Sequence, residues 1–273
     1  MITINIKGGL GNQMFQYACG RALALKNKDN LSLARSERGA DIFRQFSLTN
    51  FNIKADSSAG QKASMFSKWK ERLMQKITGN FHVGFDPNIT KLTGTVYLDG
   101  YFQSELYFKD YEDFIRQDFT LKEPLSGNKA VLAEILKNDR AAVSLHVRRG
   151  DYITHPDFGG IVTHEYYLKA VEHMKEQVPE AQFYVFSDDI NWCQEELGLE
   201  KGVTFVSNPE LKDFEEMFLM SLCKHHIIAN SSFSWWGAWL NPSIQKIVVA
   251  PSRWSNLHED WYQDIIPSTW TRI

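Results

Sequence analysis

Cysteine is scarce in this sequence and shows no paired spacing. Only Cys19, Cys193 and Cys223 occur in 273 residues, and each lies in a stretch with helical periodicity. This distribution argues against a disulfide framework and a thiolate metal site, and it favours a reducing compartment. His, Asp and Glu also form no cluster with metal-ligand spacing, so the sequence offers no metal site.

Long apolar runs and a basic charge balance are absent as well. No run of about 18 apolar residues occurs, so no membrane span is predicted. The first residues, Met1–Gly9, look like a strand and not like a signal peptide. A net charge of −3 lacks the footprint of nucleic-acid binding, so we expect no nucleic-acid partner. The length and the ordinary composition, 43% hydrophobic and 23% charged, suit two packed α/β domains.

The chain opens with a predicted strand, a glycine-rich turn and a helix. Ile2–Ile6 alternates as a strand does, Lys7–Asn12 interrupts it, and helical spacing begins at Met14. This layout presents backbone N–H groups to an anion. Met14 stands where a dinucleotide fingerprint needs its third glycine, and no Walker ending follows. A purely structural turn remains the alternative.

A basic amphipathic helix is predicted at residues 62–77. Phe66, Trp69, Leu73 and Ile77 share one face, with lysines and an arginine around the remainder. One interpretation is a helix lying on an anionic membrane or on an acceptor carrier. The other is a helix packed on the core with a solvated face. We therefore expect a cytoplasmic protein and leave peripheral contact with the inner membrane open.

The second half of the chain has regular βαβ alternation. A linker candidate at Glu123–Asn128 divides the sequence into predicted domains 1–127 and 128–273. Near-continuous apolar strands separated by helices predict a parallel sheet covered on both faces. The predicted strands are 142–147, 183–186, 203–206, 227–229 and 247–250. The predicted helices are 165–177, 191–197, 213–224 and about 233–240.

The strand before Arg148 carries the strongest chemical signal. Ligands of open α/β sheets bind beyond the carboxyl ends of strands, and this strand ends in Arg148 and Arg149. Strand alternation places His146 and Arg148 on one face. Guanidinium forks match phosphate oxygens, so a phosphate or diphosphate site is predicted. The alternative is a surface salt bridge between Arg149 and Asp151.

Two neighbouring strands also end in polar clusters. Asp188 and Asp189 follow one strand, and Asn230–Ser234 opens a helix after another. The serine hydroxyls and free N–H groups there would form a second anion cradle. The alternatives are a simple turn at the aspartates and an N-cap at Ser231 or Ser232. Trp235, Trp236 and Trp239 follow at helical spacing, which favours core packing over sugar stacking.

These motifs together resemble the bacterial α-1,2-fucosyltransferases of glycosyltransferase family 11. The matching stretches are Gly8–Ala18, Asp99–Ser104, His146–Tyr152, Phe186–Asp189 and Ala229–Leu240. The resemblance implies an α/β protein of GT-B architecture, with two Rossmann-like domains facing each other across a cleft. It also implies an N-terminal acceptor-side domain, a C-terminal donor domain, inverting transfer and no required metal or cofactor.

The resemblance also implies the substrates and their contacts. The donor is GDP-L-fucose, and the acceptor is a galactose-terminated oligosaccharide, free or lipid-linked. His146 and Asp189 would hold guanine, and Arg148 the donor phosphate. The full donor set is Gly9, Gly11, Asn12, His146, Arg148, Arg149, Asp188, Asp189, Ser231, Ser232 and Ser234. The acceptor set is Gln13, Asp99, Gln103 and Asp157.

Asp151 is the predicted catalytic base, because Gly150 lets it turn toward the cleft beside Arg148. Asp157, His155 and a donor phosphate oxygen are the alternatives. The pair Asp188 and Asp189 also resembles the metal-binding aspartates of GT-A enzymes, but guanine recognition explains it better. Two other functions stay open: fucosyl transfer to a different hydroxyl, including protein Ser or Thr, and non-enzymatic glycan binding.

Overall fold

The computed structural model describes residues 1–35, 45–56, 83–199 and 201–273. The basic helix predicted at 62–77 lies outside these residues. The chain divides into two compact units. The first is Met1–Lys122 with Asp260–Ile265, and the second is Glu123–Glu259 with Ile266–Ile273. No helix in the described part of the chain is both long and apolar enough to cross a membrane.

The observed division corrects the predicted domain limits in two places. The second unit begins at Glu123, not at residue 128, and the segment Asp260–Ile265 belongs to the first unit. Packing explains the return of this segment. Ile265 is buried, with 1% of its surface exposed, and a Cβ at Gly84 would lie 2.6 Å from the Trp261 carbonyl oxygen. Such contacts between distant positions leave no trace in local composition.

The first unit is built on a parallel sheet of order β2-β1-β3. Ile2 and Ile4 of the central strand are fully buried, as expected for a sheet covered on both faces. The elements of this unit are β1 (Ile2–Ile6), α1 (Leu10–Asn27), β2 (Leu31–Arg35), β3 (Val96–Leu98) and α2 (Glu112–Asp118). The strand, glycine turn and helix predicted at the start of the chain are confirmed.

The second unit has a six-stranded parallel sheet of order β6-β5-β4-β7-β8-β9. Its strands are β4 (Ala142–Val147), β5 (Gln182–Ser187), β6 (Val203–Phe205), β7 (His225–Ile227), β8 (Val248–Ala250) and β9 (Thr271–Arg272). Its helices are α3 (Asn128–Asn138), α4 (His164–Gln177), α5 (Ile190–Glu196), α6 (Asp213–Leu222) and α7 (Ser232–Leu240). The predicted α/β class with parallel sheets is confirmed.

Buried polar contacts account for the one strand that is displaced from its prediction. β7 starts at His225, two residues before the predicted start. His226 is fully buried there, and both of its ring nitrogens have hydrogen-bond partners: Ser144 Oγ at 2.8 Å and Asn241 Nδ2 at 3.0 Å. Trp235 and Trp236 of α7 are fully buried, which confirms the predicted core packing.

Candidate active site

Arg148 lies at the carboxyl edge of the second sheet, directly beyond β4. Its guanidinium binds Asp188 Oδ2 at 2.9 Å and also binds the Asp151 carboxylate. The guanidinium carbon lies 5.1 Å from the centre of the Tyr152 ring. Arg148 Nε is buried and has no partner among the described residues. One donor of this side chain is therefore available to a ligand.

Arg149 points to different partners. Its Nε donates to Asp189 Oδ2 at 3.0 Å, and its guanidinium lies 4.0 Å from the centre of the Trp192 ring. Asp189 also caps α5 by accepting from the Trp192 backbone N–H at 3.2 Å. The alternative interpretation, a salt bridge between Arg149 and Asp151, is wrong, because Asp151 binds Arg148 and Arg149 binds Asp189. The geometry gives Arg149 a structural role at the start of α5.

Gly150 permits the contact between the two loops. A Cβ at this position would lie 2.5 Å from Asp188 Oδ2. The Arg149 backbone N–H donates to Asp188 Oδ1 at 2.9 Å, so this carboxylate binds both main chain and side chain of the arginine pair. Any other residue at position 150 would displace Asp188. The glycine therefore serves the close approach of a carboxylate as well as the turn.

His146 lies beneath the arginines as a buried, neutral imidazole. Burial, followed by the charge of Arg148, lowers the pKa of His146 to about 3. Its Nδ1 has no partner within the described part of the chain, and its ring centre lies 5.5 Å from that of Phe233 in α7. Buried polar atoms normally have partners. His146 Nδ1 and Arg148 Nε are thus two buried polar atoms at the end of β4 for which the described residues supply no partner.

The serines at the start of α7 are less available than the sequence predicts. Ser231 Oγ accepts from the Phe233 N–H at 3.3 Å, so Ser231 is the N-cap. Ser234 is buried and donates to the carbonyls of Ala229 and Ser231. Its hydroxyl proton is therefore used at the start of the helix, and its contact with a phosphate stays a prediction. Ser232 is half-buried.

Asp157, a predicted acceptor contact, anchors a loop in this structure. It is 8% exposed, and one of its oxygens accepts from Ser255 Oγ and from the Leu257 N–H. His155 Nδ1 accepts from the Asp157 N–H at 3.1 Å. Both side chains named as alternative bases therefore already hold hydrogen bonds within the second unit.

The glycine loop of the first unit is held by side chains from α1. Gly8 has φ +79°, a value that glycine adopts without strain. Gly9 caps α1, and its carbonyl accepts from the Gln13 N–H. The Gln13 amide binds the Gly8 and Gln45 carbonyls and the Ser47 N–H. Gln13 is 2% exposed, so the structure shows it holding the loop, and its contact with an acceptor stays a prediction.

Asn12 and Asp99 lie at the carboxyl edge of the first sheet. Asn12 Oδ1 accepts from Gln103 Nε2 at 2.7 Å, which fixes both amides. Asp99 Oδ1 accepts from Lys7 Nζ at 2.7 Å and from Asn5 Nδ2 at 3.1 Å. Both donors bind Oδ1, so within the described residues Asp99 Oδ2 is left to solvent or a ligand. Gly11 is buried in the first turn of α1.

Lys7 and Asn5 are functional candidates that the sequence reasoning missed. Asn5 lies on the same face of β1 as Thr3, since alternate residues of a strand point the same way. Lys7 directly follows β1, and both residues bind Asp99. Asn5 is 6% exposed in a strand whose other residues are three isoleucines and Thr3. The polar Asn5 within the predicted first strand was the sequence feature that could have indicated these candidates.

No group of three or more His, Cys, Asp and Glu side chains in the described ranges is arranged to hold a metal ion. The pair Asp188 and Asp189 instead binds the two arginines. In this structure the two aspartates therefore form ion pairs with arginines.

Comparison with known proteins decides the family. The family model described as Glycosyl transferase family 11 matches residues 1–273. The chain belongs to glycosyl transferase family 11. An Escherichia coli alpha-1,2-colitosyltransferase is 32% identical, over 100% of this chain and 99% of that protein. The mouse galactoside 2-alpha-L-fucosyltransferase Sec1 is 29% identical, over 88% of this chain and 64% of that protein.

The fold comparison agrees with this membership. The crystal structure of NodZ alpha-1,6-fucosyltransferase soaked with GDP-fucose matches with a TM-score of 0.54 at 14% identity. The match covers 88% of this chain and 93% of that one. At this identity the likeness shows the fold alone, and it confirms the predicted GT-B class. The family 11 protein described here is a glycosyltransferase.

Proposed function

We propose that this family 11 enzyme transfers L-fucose from GDP-β-L-fucose to the 2-hydroxyl of a terminal β-galactoside, with inversion. The observation that carries the proposal is the pair of buried, unpartnered atoms Arg148 Nε and His146 Nδ1 beyond β4. A nucleoside diphosphate offers phosphate oxygens to the first and a base edge to the second. Asp189 lies on the neighbouring loop and would accept from guanine N–H groups.

The negative charge of the departing GDP is the main problem for catalysis. As the bond between fucose C1 and the phosphate oxygen breaks, the electron pair moves onto the β-phosphate. We assign Arg148 to stabilise that charge, with the α7 N-terminus at Ser231 and Ser232 beside it. Without a ligand, Arg148 is shared by Asp151 and Asp188. Binding of the donor must therefore replace or rearrange at least one carboxylate contact.

Asp151 is our candidate for the base that takes the proton of the galactose 2-hydroxyl. Its carboxylate is about half exposed, and it leaves Arg148 when a phosphate replaces it. The proton then passes from the hydroxyl to the Asp151 carboxylate while the new C1–O2 bond forms. This assignment makes the release of Asp151 from Arg148 a step that couples donor binding to proton transfer.

We assign acceptor binding to the first unit and donor binding to the second. Asp99 supports this division because its fixed carboxylate keeps one oxygen for an acceptor hydroxyl. Asn12 and Gln103 bind each other and border the same sheet edge. A free or lipid-linked galactoside would suit a cytoplasmic enzyme with peripheral membrane contact, and the buried free cysteines fit a reducing compartment.

A second candidate donor is GDP-colitose, which the full-length similarity to an alpha-1,2-colitosyltransferase favours. Colitose lacks the 3-hydroxyl of fucose, so a site that binds that hydroxyl would reject it strongly. The test offers GDP-L-fucose and GDP-colitose to the purified enzyme with a panel of galactose-terminated glycans. Product linkage is then read by NMR.

Fucosylation at the galactose 2-position with an α linkage is the expected result. Preference for GDP-colitose would replace the donor, and transfer to another hydroxyl would replace the acceptor. A protein that binds glycans, gains no thermal protection from GDP and transfers nothing would be a binding module.

A further inference from the structure

The guanidinium of Arg148 lies over the ring of Tyr152, a contact that the reaction described above does not use. The guanidinium carbon is 5.1 Å from the ring centre. A cation over an aromatic face within about 6 Å is attracted by the ring. The same guanidinium binds the carboxylates of Asp151 and Asp188. Ion pairs and a ring face therefore orient this side chain together.

The Tyr152 ring is itself held in an aromatic stack. The ring centres of Tyr152 and Phe158 lie 5.2 Å apart with an angle of 20° between the planes. Those of Phe158 and His155 lie 4.8 Å apart at 29°. The Tyr152 backbone N–H donates to the Arg149 carbonyl at 2.8 Å. The ring is thus supported both by its own turn and by residues further along the loop.

The far end of this loop is anchored to other segments of the second unit. Asn230 Nδ2 donates to the Phe158 carbonyl at 3.2 Å and to the Trp254 carbonyl at 3.1 Å. Asp157 accepts from the Leu257 N–H at 2.9 Å. Phe158 therefore supports the ring stacked on it from a backbone that two distant segments hold in place.

The proposed reaction changes the contacts of Arg148. On that function a phosphate replaces Asp151, so the guanidinium loses one of its two carboxylates when the donor binds. We propose that Tyr152 is a positioning residue, whose ring keeps the Arg148 guanidinium in its orientation after Asp151 has left. The guanidinium then meets the charge that develops on the β-phosphate without having to reorient. The proposal rests on the donor phosphate role of Arg148.

The physics of the contact sets the size of the expected effect. A donor that is already oriented needs no reorganisation when charge develops in the transition state. A cation over an aromatic ring is worth about 3–30-fold when it is expressed as a ratio of rates. The attraction comes from the ring face and not from the hydroxyl. Phenylalanine at position 152 should therefore serve as well as tyrosine, whereas leucine should not.

The test is a double-mutant cycle between Tyr152 and Arg148. The kcat and the donor KM are measured with GDP-L-fucose and a galactoside acceptor in wild type, Tyr152→Leu, Arg148→Ala and the double variant. Calorimetry gives the affinity of each protein for GDP, and thermal melts report damage to the fold. Tyr152→Phe keeps the ring. Ile153→Ala is the matched control, because Ile153 is the next residue of the same loop and is 56% exposed.

We expect Tyr152→Leu to lower kcat by about 3–30-fold. GDP affinity should fall similarly, since GDP already carries the charge that the leaving group acquires, and the donor KM should change less. Tyr152→Phe and Ile153→Ala should stay within about twofold of wild type. In the Arg148→Ala background, Tyr152→Leu should have no further effect. An equal loss in both backgrounds, or a wild-type kcat in Tyr152→Leu, would overturn the proposal.

Phe158→Leu is the second variant, for the case in which Tyr152→Leu does not fold. It removes the ring stacked on Tyr152 but keeps the ring that contacts Arg148. Its kcat should fall less than that of Tyr152→Leu, and only while Arg148 is present. The same loss without Arg148 would again overturn the positioning role.

The cycle also separates this proposal from the proposed function. Full turnover and full GDP affinity in Arg148→Ala would show that the phosphate role is wrong, and the positioning role would fall with it. A large loss in Arg148→Ala without any effect of Tyr152→Leu would overturn the positioning role alone. Absence of fucosyl transfer in wild type would count against the proposed reaction, and the cycle would then be decided by the GDP affinities.

Discussion

Arg148 Nη1 and Asp188 Oδ2 lie 2.9 Å apart, and the same guanidinium binds Asp151 on its own loop. The arginine is therefore oriented by two carboxylates before any donor binds. Together with Arg149 and Asp189, these residues form a charged cluster of two arginines and three aspartates. On the proposed function, a diphosphate at Arg148 would have to replace one of these carboxylate contacts.

Replacement of Arg148 should abolish most turnover while replacement of Arg149 should mainly reduce stability. Arg148→Ala is expected to lower kcat by about 10²–10³, because one preorganised donor to the leaving-group charge is lost. Arg148→Lys should restore little, since an ammonium lacks the bidentate fork. Arg149→Ala, which loses its contacts to Trp192 and Asp189, should show the larger drop in melting temperature. If Arg148→Ala keeps more than half the wild-type rate, the phosphate assignment is wrong.

Two substitutions of Asp189 can separate its role as the helix N-cap from its proposed role in binding guanine. Asp189→Asn keeps an N-cap oxygen for the Trp192 N–H but cannot accept both N–H groups of guanine. We expect a small loss of stability, because the ion pair with Arg149 is lost while the cap is kept, together with a raised KM for GDP-fucose and a weaker preference for guanine over other bases. Asp189→Ala should add the loss of the cap, about 1 kcal/mol of stability. An unchanged donor KM in Asp189→Asn would place guanine elsewhere.

The two proposed carboxylates should differ in which kinetic constant they affect. Asp151→Asn is expected to lower kcat with normal GDP affinity, because the proton acceptor is lost. Asp99→Asn is expected to raise the acceptor KM and leave hydrolysis of the donor by water unchanged. Steady-state kinetics with varied acceptor distinguish the two.

Lys7→Met is the matched control for Asp99, because it breaks the same ion pair and keeps the carboxylate. If Lys7→Met and Asp99→Asn lose stability and acceptor affinity equally, the pair is only structural. For Asp151, joint loss of GDP affinity and stability would identify it as an anchor of the loop.

Removal of divalent metal should leave activity nearly unchanged. The contacts made by Asp188 and Asp189 support this expectation, since each carboxylate forms an ion pair with an arginine. The measurement is the initial rate after treatment with EDTA, with and without added manganese. Loss of activity that manganese restores would point to the two aspartates as metal ligands.

Glu216 should make stability depend on pH near neutrality. Burial, together with the charges of Asp188 and Asp213 and despite a hydrogen bond from Ser207, raises the pKa of Glu216 to about 7. Between about pH 4.5 and 7 the folded state thus binds more protons than the unfolded state, and stability falls as pH rises. Glu216→Gln removes this titration and should stabilise the protein at pH 8 by about 1–2 kcal/mol. At pH 4.5 it should have little effect.

Glu215→Gln is the neighbouring control for that measurement. Glu215 forms an ion pair with Lys129 at 2.6 Å, so its removal should lower stability at pH 8. Thermal melts from pH 4.5 to 8 compare the two variants. Equal effects of both substitutions at every pH would contradict the assignment to Glu216.

Strand ends were predictable from the sequence, but the pairing of charges at those ends was not. The alternation before Arg148 predicts β4, and the strand-end rule predicts a site there. Which arginine meets which aspartate depends on Asp188 and Asp189, about 40 residues away and on another loop. Two arginines that look equivalent in sequence consequently have different roles.

The other site predictions did not foresee that several polar side chains form hydrogen bonds with nearby backbone groups. Ser234 looks like part of an anion cradle, yet its hydroxyl bonds to carbonyls three and five residues earlier. Gln13 and Asp157 are polar residues in conspicuous motifs, but each satisfies buried backbone groups. A sequence shows which residues can bind a ligand, whereas burial decides which ones remain available.

The return of Asp260–Ile265 to the first unit has a consequence for recombination within the family. The polypeptide passes from one unit to the other after Lys122, after Glu259 and after Ile265. A chimera that exchanges the halves at residue 122 alone would bring six foreign residues into the N-terminal unit, including buried Ile265. A chimera between relatives should fold when residues 260–265 come from the same parent as residues 1–122, although these residues are encoded near the other end of the gene.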